Sequence, residues 1–127
     1  MDVTLLIPAG RQIIELYGGG RFRVSGSVFE GSVLVLTDRT LPWPVADIAV
    51  ATFESLAAVA EASRAGAIDL LLLGCGTRMA PPPAGLRQAL RDLGVVLEPM
   101  DTGAACRTYN VLMAEGRRVA AALIAIP

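Results

Sequence analysis

The stretch Ala67-Ile68-Asp69-Leu70-Leu71-Leu72-Leu73-Gly74 constrains this chain more than any other. Four consecutive leucines between an Asp and a Gly leave no polar side, and the run is far too short to span a membrane. It has the form of a β-strand buried on both faces, which needs a packed layer above and below. The flanking sequence supplies those layers. "TFESLAAVAEASRAG" is Ala-rich, offers Thr52 or Ser55 as a cap and stops at Gly66, the marks of a helix. "AGLRQALRDLG" predicts a second helix that starts at Pro82 or Pro83 and stops at Gly94. "VVLEPM" reads as a strand, and "GAACRTYNVLMAEG" as a third helix ending at Gly116. The Ala run of the closing "RVAAALIAIP" permits a helix or a buried strand; a strand inside the sheet over Val119 to Ile126 is preferred, because the run is short, follows Gly116 closely and ends in β-branched Ile. Helix and strand alternate through this half, which predicts an α/β layered domain with a parallel or mixed sheet.

The first third has a different rhythm. "RQIIELYGGGRFRVSG" places two β-rich pieces around Gly18-Gly19-Gly20, a loop that admits positive φ. "SVFEGSVLVLT" follows, with Gly31 separating Val28-Phe29 from Val33 to Leu36. These pieces predict an additional N-terminal antiparallel β portion. "DRTLPWPVAD" then breaks regular structure at Pro42 and Pro44. With no repeat and no linker, residues 1–127 are expected to form one domain.

Composition removes whole classes of chemistry. The chain has 127 residues, 54% hydrophobic and 18% charged, enough to bury a core and too apolar for a disordered tail. A net charge of −1 gives no electrostatic case for nucleic acid or an acidic membrane surface. All 11 basic residues are Arg, and there is no Lys and no His. Schiff-base lysines, P-loop lysines, Ser-His and Cys-His pairs and histidine metal sites are all excluded. Two cysteines, Cys75 and Cys106, make no disulfide framework and fit a reduced, cytoplasmic protein. Met1-Asp2 followed by the short apolar run Val3 to Ile7 predicts no signal peptide.

In α/β sheets ligands bind beyond the carboxyl ends of strands. Two loops leave such ends: Gly74-Cys75-Gly76-Thr77-Arg78 and Met100-Asp101-Thr102-Gly103. The first has G-x-G, but Met79 stands where a dinucleotide fingerprint needs its third glycine, and prolines follow in place of a helix. On the third helix Ala105, Cys106, Tyr109, Leu112 and Met113 form an apolar stripe. Thr102 is expected to cap it. Arg107 and Asn110, three apart, share a neighbouring face and a common partner. Gly74, Gly76, Thr77, Thr102, Arg107 and Asn110 are therefore the candidate pocket, with helix N–H groups as further donors for an anion. The alternative is that Arg107 and Asn110 tie the helix to carbonyls of an adjacent loop. Cys75 follows one strand and Cys106 starts the helix after the next, a placement that allows them to meet, and a helix start can lower the pKa of Cys106; the favoured reading is that they simply pack, since without His or Lys activation would rest on an Arg and a helix end. No catalytic set and no metal-ligand set emerges.

"IDLLLLGCGT", "GVVLEPMDTGAACRTYNVLMAEGRRVAAALI" and "YGGGRFRVSGSVFEGSVLVL" together resemble the Mth-type domain family. The resemblance covers nearly the whole chain and is most specific from Thr102 to Leu123. The family includes uncharacterised bacterial and archaeal proteins, an adipogenesis-associated protein and mitochondrial complex I assembly factors. The resemblance implies a three-layer α/β fold with a mixed central sheet, and no known enzyme activity, metal or cofactor. It also implies partners among respiratory-chain assembly proteins or subunits, with any membrane association peripheral and through a partner. At the position of Cys75 the family more often has a small polar residue.

Overall fold

The computed structural model describes residues 7–127, so most of the opening apolar run, Val3 to Leu6, lies outside the described residues. A three-stranded antiparallel sheet comes first: β1 (Ile14–Gly18), β2 (Arg21–Val24) and β3 (Ser27–Glu30), in that order. Both connections are two-residue turns. Gly19 and Gly20 take φ of 64° and 76°, and Ser25 and Gly26 take 46° and 86°. Positive φ at both central residues is the turn form whose twist matches the flanking strands of a hairpin, which explains the glycines.

A mixed five-stranded sheet follows. Its strands are β4 (Val33–Val35), β5 (Thr40–Pro42), β6 (Leu70–Gly74), β7 (Val96–Met100) and β8 (Val119–Leu123), ordered β5-β4-β8-β6-β7. β8 runs parallel to β6 and antiparallel to β4. Three helices accompany it: α1 (Ala57–Arg64), α2 (Leu86–Arg91) and α3 (Thr102–Ala114).

The pleat divides the core into two. Leu71, Leu73, Ala120, Ala122, Leu34 and Leu36 face a cluster that includes Trp43, Leu56, Val59, Leu86 and Leu90. Leu72, Val119, Ala121, Leu123, Val33 and Val35 face the other cluster, with α3 residues Ala105, Cys106, Tyr109 and Met113 and small-sheet residues Ile14, Phe22 and Val24. The expected three-layer architecture is what forms: α1 and α2, then the mixed sheet, then α3 and the small sheet. The leucine run is the strand buried on both faces, and the alanine run beside it is the other.

Several boundaries differ from expectation. A 3-10 turn, Glu54–Leu56, precedes α1, while Thr52 and Ser55 cap each other reciprocally. α2 starts at Leu86, behind a Gly85 with φ of 84°, not at Pro82 or Pro83; the prolines lie in the irregular segment and turn before it. The segment around Pro42 is not wholly irregular. Thr40–Pro42 pairs with β4 at the sheet edge, where Pro42 gives up only an outward N–H. β8 ends at Leu123, short of Ile126.

Candidate functional site

The parallel register sets Gly74 beside Met100, so the carboxyl ends of β6 and β7 adjoin. The protein's own groups lace that space together. Thr102 N–H donates to the Gly76 carbonyl at 2.8 Å, and Gly76 N–H donates to Thr102 Oγ1 at 3.0 Å. Thr102 Oγ1 in turn donates to the Ile124 carbonyl at 2.8 Å, and Ile124 N–H donates to the Gly74 carbonyl at 2.9 Å. Thr102 is fully buried. A Cβ on Gly74 would stand 3.0 Å from both Thr102 Oγ1 and Leu123 Cδ2, and 3.1 Å from Thr102 Cα. Glycine here serves the close approach of β6, β8 and α3. Thr77, one residue beyond this knot, is exposed.

The N-cap of α3 is Asp101, not Thr102. Its backbone is extended and its carboxylate accepts from Ala104 N–H at 2.9 Å. Thr102 was the expected cap because Thr is a capping residue. Its hydroxyl instead serves two other strand ends. With Asp101 in place, the negative charge that favours a helix start comes from the protein itself.

Arg107 and Asn110 do share a partner, and it is β1. Asn110 Oδ1 accepts from Ile14 N–H at 3.0 Å, and Asn110 Nδ2 donates to the Ile14 carbonyl at 2.7 Å. Its amide thus pairs with the edge of β1 as a neighbouring strand residue would. Arg107 donates to the Tyr17 hydroxyl at 2.6 Å, and the Tyr17 ring lies against Gly103, where a Cβ would stand 3.2 Å from the Tyr17 hydroxyl. A third tie comes from Tyr109, whose hydroxyl donates to the Gln12 carbonyl at 2.9 Å. In the sequence Tyr109 belongs only to the apolar stripe. The phenol's reach past that stripe has no signature in the helical period. The structure therefore brings Gly74, Gly76 and Thr102 together, sets Thr77 at their rim, and carries Arg107 and Asn110 to β1.

Cys75 and Cys106 do not meet, because they belong to opposite faces of the central sheet. Cys75 is buried, with its thiol against the carbonyls of Ala80 and Leu73. Cys106 packs in the core, as expected of a cysteine with no His or Lys beside it, and the helix start does not lower its pKa. Burial instead pushes it from 9.0 up to about 12, outweighing the nearby Arg107 cation. A thiol that keeps its proton is a poor nucleophile. Burial likewise pushes Tyr109 from 10.0 to about 12.

A mixed sheet with two helices on one face and α3 and the small sheet on the other, and strand ends closed by main-chain and hydroxyl bonds, define an α/β class. Residues 14–124 match the family described as a protein of unknown function, DUF498/DUF598, and the chain belongs to that family. An uncharacterised protein of Rhodobacter capsulatus is 44% identical over 119 residues, covering 94% of this chain and 89% of that protein. NADH dehydrogenase [ubiquinone] 1 alpha subcomplex assembly factor 3 of Xenopus tropicalis is 33% identical over 111 residues, and the human protein 32% over 117. The matches cover 87% and 90% of this chain but only 60% and 61% of those relatives. Among solved structures, one described as an outer membrane protein from Bartonella henselae has a TM-score of 0.85 at 36% identity, covering 93% of this chain and 98% of its own. A Mth938-like domain from Bordetella pertussis has 0.81 at 29%, covering 98% and 92%. The Mth-type resemblance is thereby established. No helix among the described residues is long and apolar enough to cross a membrane.

Proposed function

We propose that this chain is a non-enzymatic protein-interaction module that assists assembly of a respiratory NADH dehydrogenase. The observation that carries this reading is the match of 87% of the chain to assembly factor 3, well beyond a shared motif. The closure of the strand ends supports it: the hydroxyl of Thr102 and the amide of Asn110 are spent on the protein's own main chain. In this reading the chain works in the cytoplasm and meets the membrane only through a partner. The test is a tagged chain expressed at native level in the organism that encodes it, with a deletion strain beside it. Dehydrogenase subunits or assembly proteins should co-purify, and the deletion should lower the assembled complex. Normal complex levels in the deletion strain, with no respiratory protein recovered, would overturn the proposal.

A further inference from the structure

The two sheets have four edges, and three carry a blocking device. On β7 the outward-facing residues are Leu97 and Pro99; Pro99 has no N–H, and Arg87 donates to the Leu97 carbonyl at 2.6 Å. On β5 the outward Pro42 has no N–H either. On β1 the Asn110 amide occupies Ile14. The edge of β3 has no such device. Its hairpin register directs the N–H and C=O groups of Val28 and Glu30 outward, and among the described residues neither pair has a partner. Val28 is 59% exposed, and Leu16, in the same cross-strand row on the outer face, is 63% exposed. A groove of about 380 Å³ lies on this face, and a crevice of about 350 Å³ lined by Pro42, Trp43, Pro44 and Val45 opens at the Glu30 end of the strand.

We propose that β3 is a docking edge on which an extended segment of a partner protein adds as a fourth antiparallel strand. This rests on the interaction reading and names the surface it uses. Main-chain bonds to Val28 and Glu30 supply affinity, and side chains supply selection. Glu30 selects a basic residue opposite itself, as β2 already shows by setting Arg21 opposite Glu30 and Phe22 opposite Phe29. Val28 selects an apolar residue two places further along. The residue between them faces inward beside Phe29, and the one before the basic residue faces the crevice, so both are apolar. A second copy of this chain fits less well. Antiparallel β3 strands would set Val28 against Glu30, so neither acid would meet a base across the new seam. A four-residue edge also falls short of the roughly 800 Å² per partner of a stable interface.

The probe is an end-blocked peptide with the core leucine-lysine-phenylalanine-valine flanked by threonines, with a twin carrying glutamate for lysine. Both are titrated into the full isotope-labelled chain by NMR. Saturable shifts are expected around Val28 and Glu30, whose amide exchange slows about tenfold or more, with the lysine peptide binding about threefold tighter than its twin. Glu30→Arg should reverse that preference. Val28→Pro removes an outward N–H while sparing the ladder to β2, and should abolish binding in a chain whose spectrum shows it folded. The proposal is overturned if no shift saturates at millimolar peptide, if the shifts centre elsewhere, or if Glu30→Arg keeps the original preference. It is also overturned if both amides are already protected in the free chain; dilution then tells a second copy from the chain's own residues. Should Val28→Pro and Glu30→Arg recover the same cellular partners as the parent, the docking edge fails and the interaction reading stands. If no variant and no parent recovers a partner, the interaction reading fails whatever the peptide does.

Discussion

Arg107 and Asn110 sit one helical turn apart, yet the structure gives them unequal roles. Ile14 is buried, and both its main-chain groups depend on Asn110. Asn110→Ala strands a buried donor and a buried acceptor, and should cost about 2–3 kcal/mol. Arg107 is exposed and its one acceptor, the Tyr17 hydroxyl, is 38% exposed by residue, so water replaces the lost bond. Arg107→Ala should cost less than about 1 kcal/mol. Urea melts of the two variants check this pair of outcomes, and equal losses would refute it. Spacing on the helix made their shared partner legible. It did not show which of the two would be buried, since that depends on where β1 crosses α3. Gly74 was legible only as a turn residue. Its φ is not positive, and the demand on it is the room that Thr102 and Leu123 leave. Gly74→Ala should cost about 1–3 kcal/mol through overpacking, because the Thr102 Cα cannot swing aside as a side-chain tip would. A variant with unchanged melting would show that β6 and α3 separate cheaply.

The elements that the sequence showed clearly are those whose burial is uniform. β6 and β8 lie between two layers, so their runs carry no polar position, and the strand preferred for "RVAAALIAIP" forms, although it stops at Leu123. Boundaries were less legible where a local signal had two uses. Pro82 and Pro83 suit a helix start but also the loop that leads into one, and Gly85 decides it through its left-handed backbone. Pro42 suits a break but also a sheet edge. For α3 the apolar stripe was readable, whereas the consequence for its titratable groups was not, because desolvation comes from layers distant in sequence. Cys106 and Tyr109 are both raised to about 12 in the folded chain, from 9.0 and 10.0. Groups raised in this way contribute in full below the unfolded pKa. Above pH 9 the unfolded chain releases these protons first, so stability falls as pH climbs toward 12. Tm should hold steady from pH 7 to 8.5 and drop progressively from 9 to 11, with a shallower drop in Cys106→Ala. Thermal melts across that range decide it; a flat profile for the parent would mean that water reaches α3 in the native state.

At the scale of the whole molecule, burying β6 and β8 on both sides pushes β5 and β7 to the margins of the five-stranded sheet. A margin strand presents unpaired main chain, and a strand that also exposes apolar residues is a template for association. β7 is such a strand, with Val96 56% exposed. Two features answer the hazard together. Pro99 removes an outward N–H, and Arg87, projecting from α2, donates to the Leu97 carbonyl at 2.6 Å. Neither touches the ladder to β6, whose bonds run through Val96, Glu98 and Met100. The pair Arg87→Ala and Pro99→Val should therefore keep the ladder to β6, since valine favours a strand and the one acceptor that loses its partner, the part-buried Leu97 carbonyl, costs about 1 kcal/mol. What it changes is the edge, which gains one free carbonyl and one free N–H in line. Sedimentation over a hundredfold range of concentration, about 1 μM to 100 μM, should show the double variant growing toward larger species while the parent does not change in step. Each single variant should fall between them, because each restores only one of the two main-chain groups. If the double variant sediments as the parent does at every concentration, then α2 shields β7 by bulk, and the proline and arginine are not what keeps this edge unpaired.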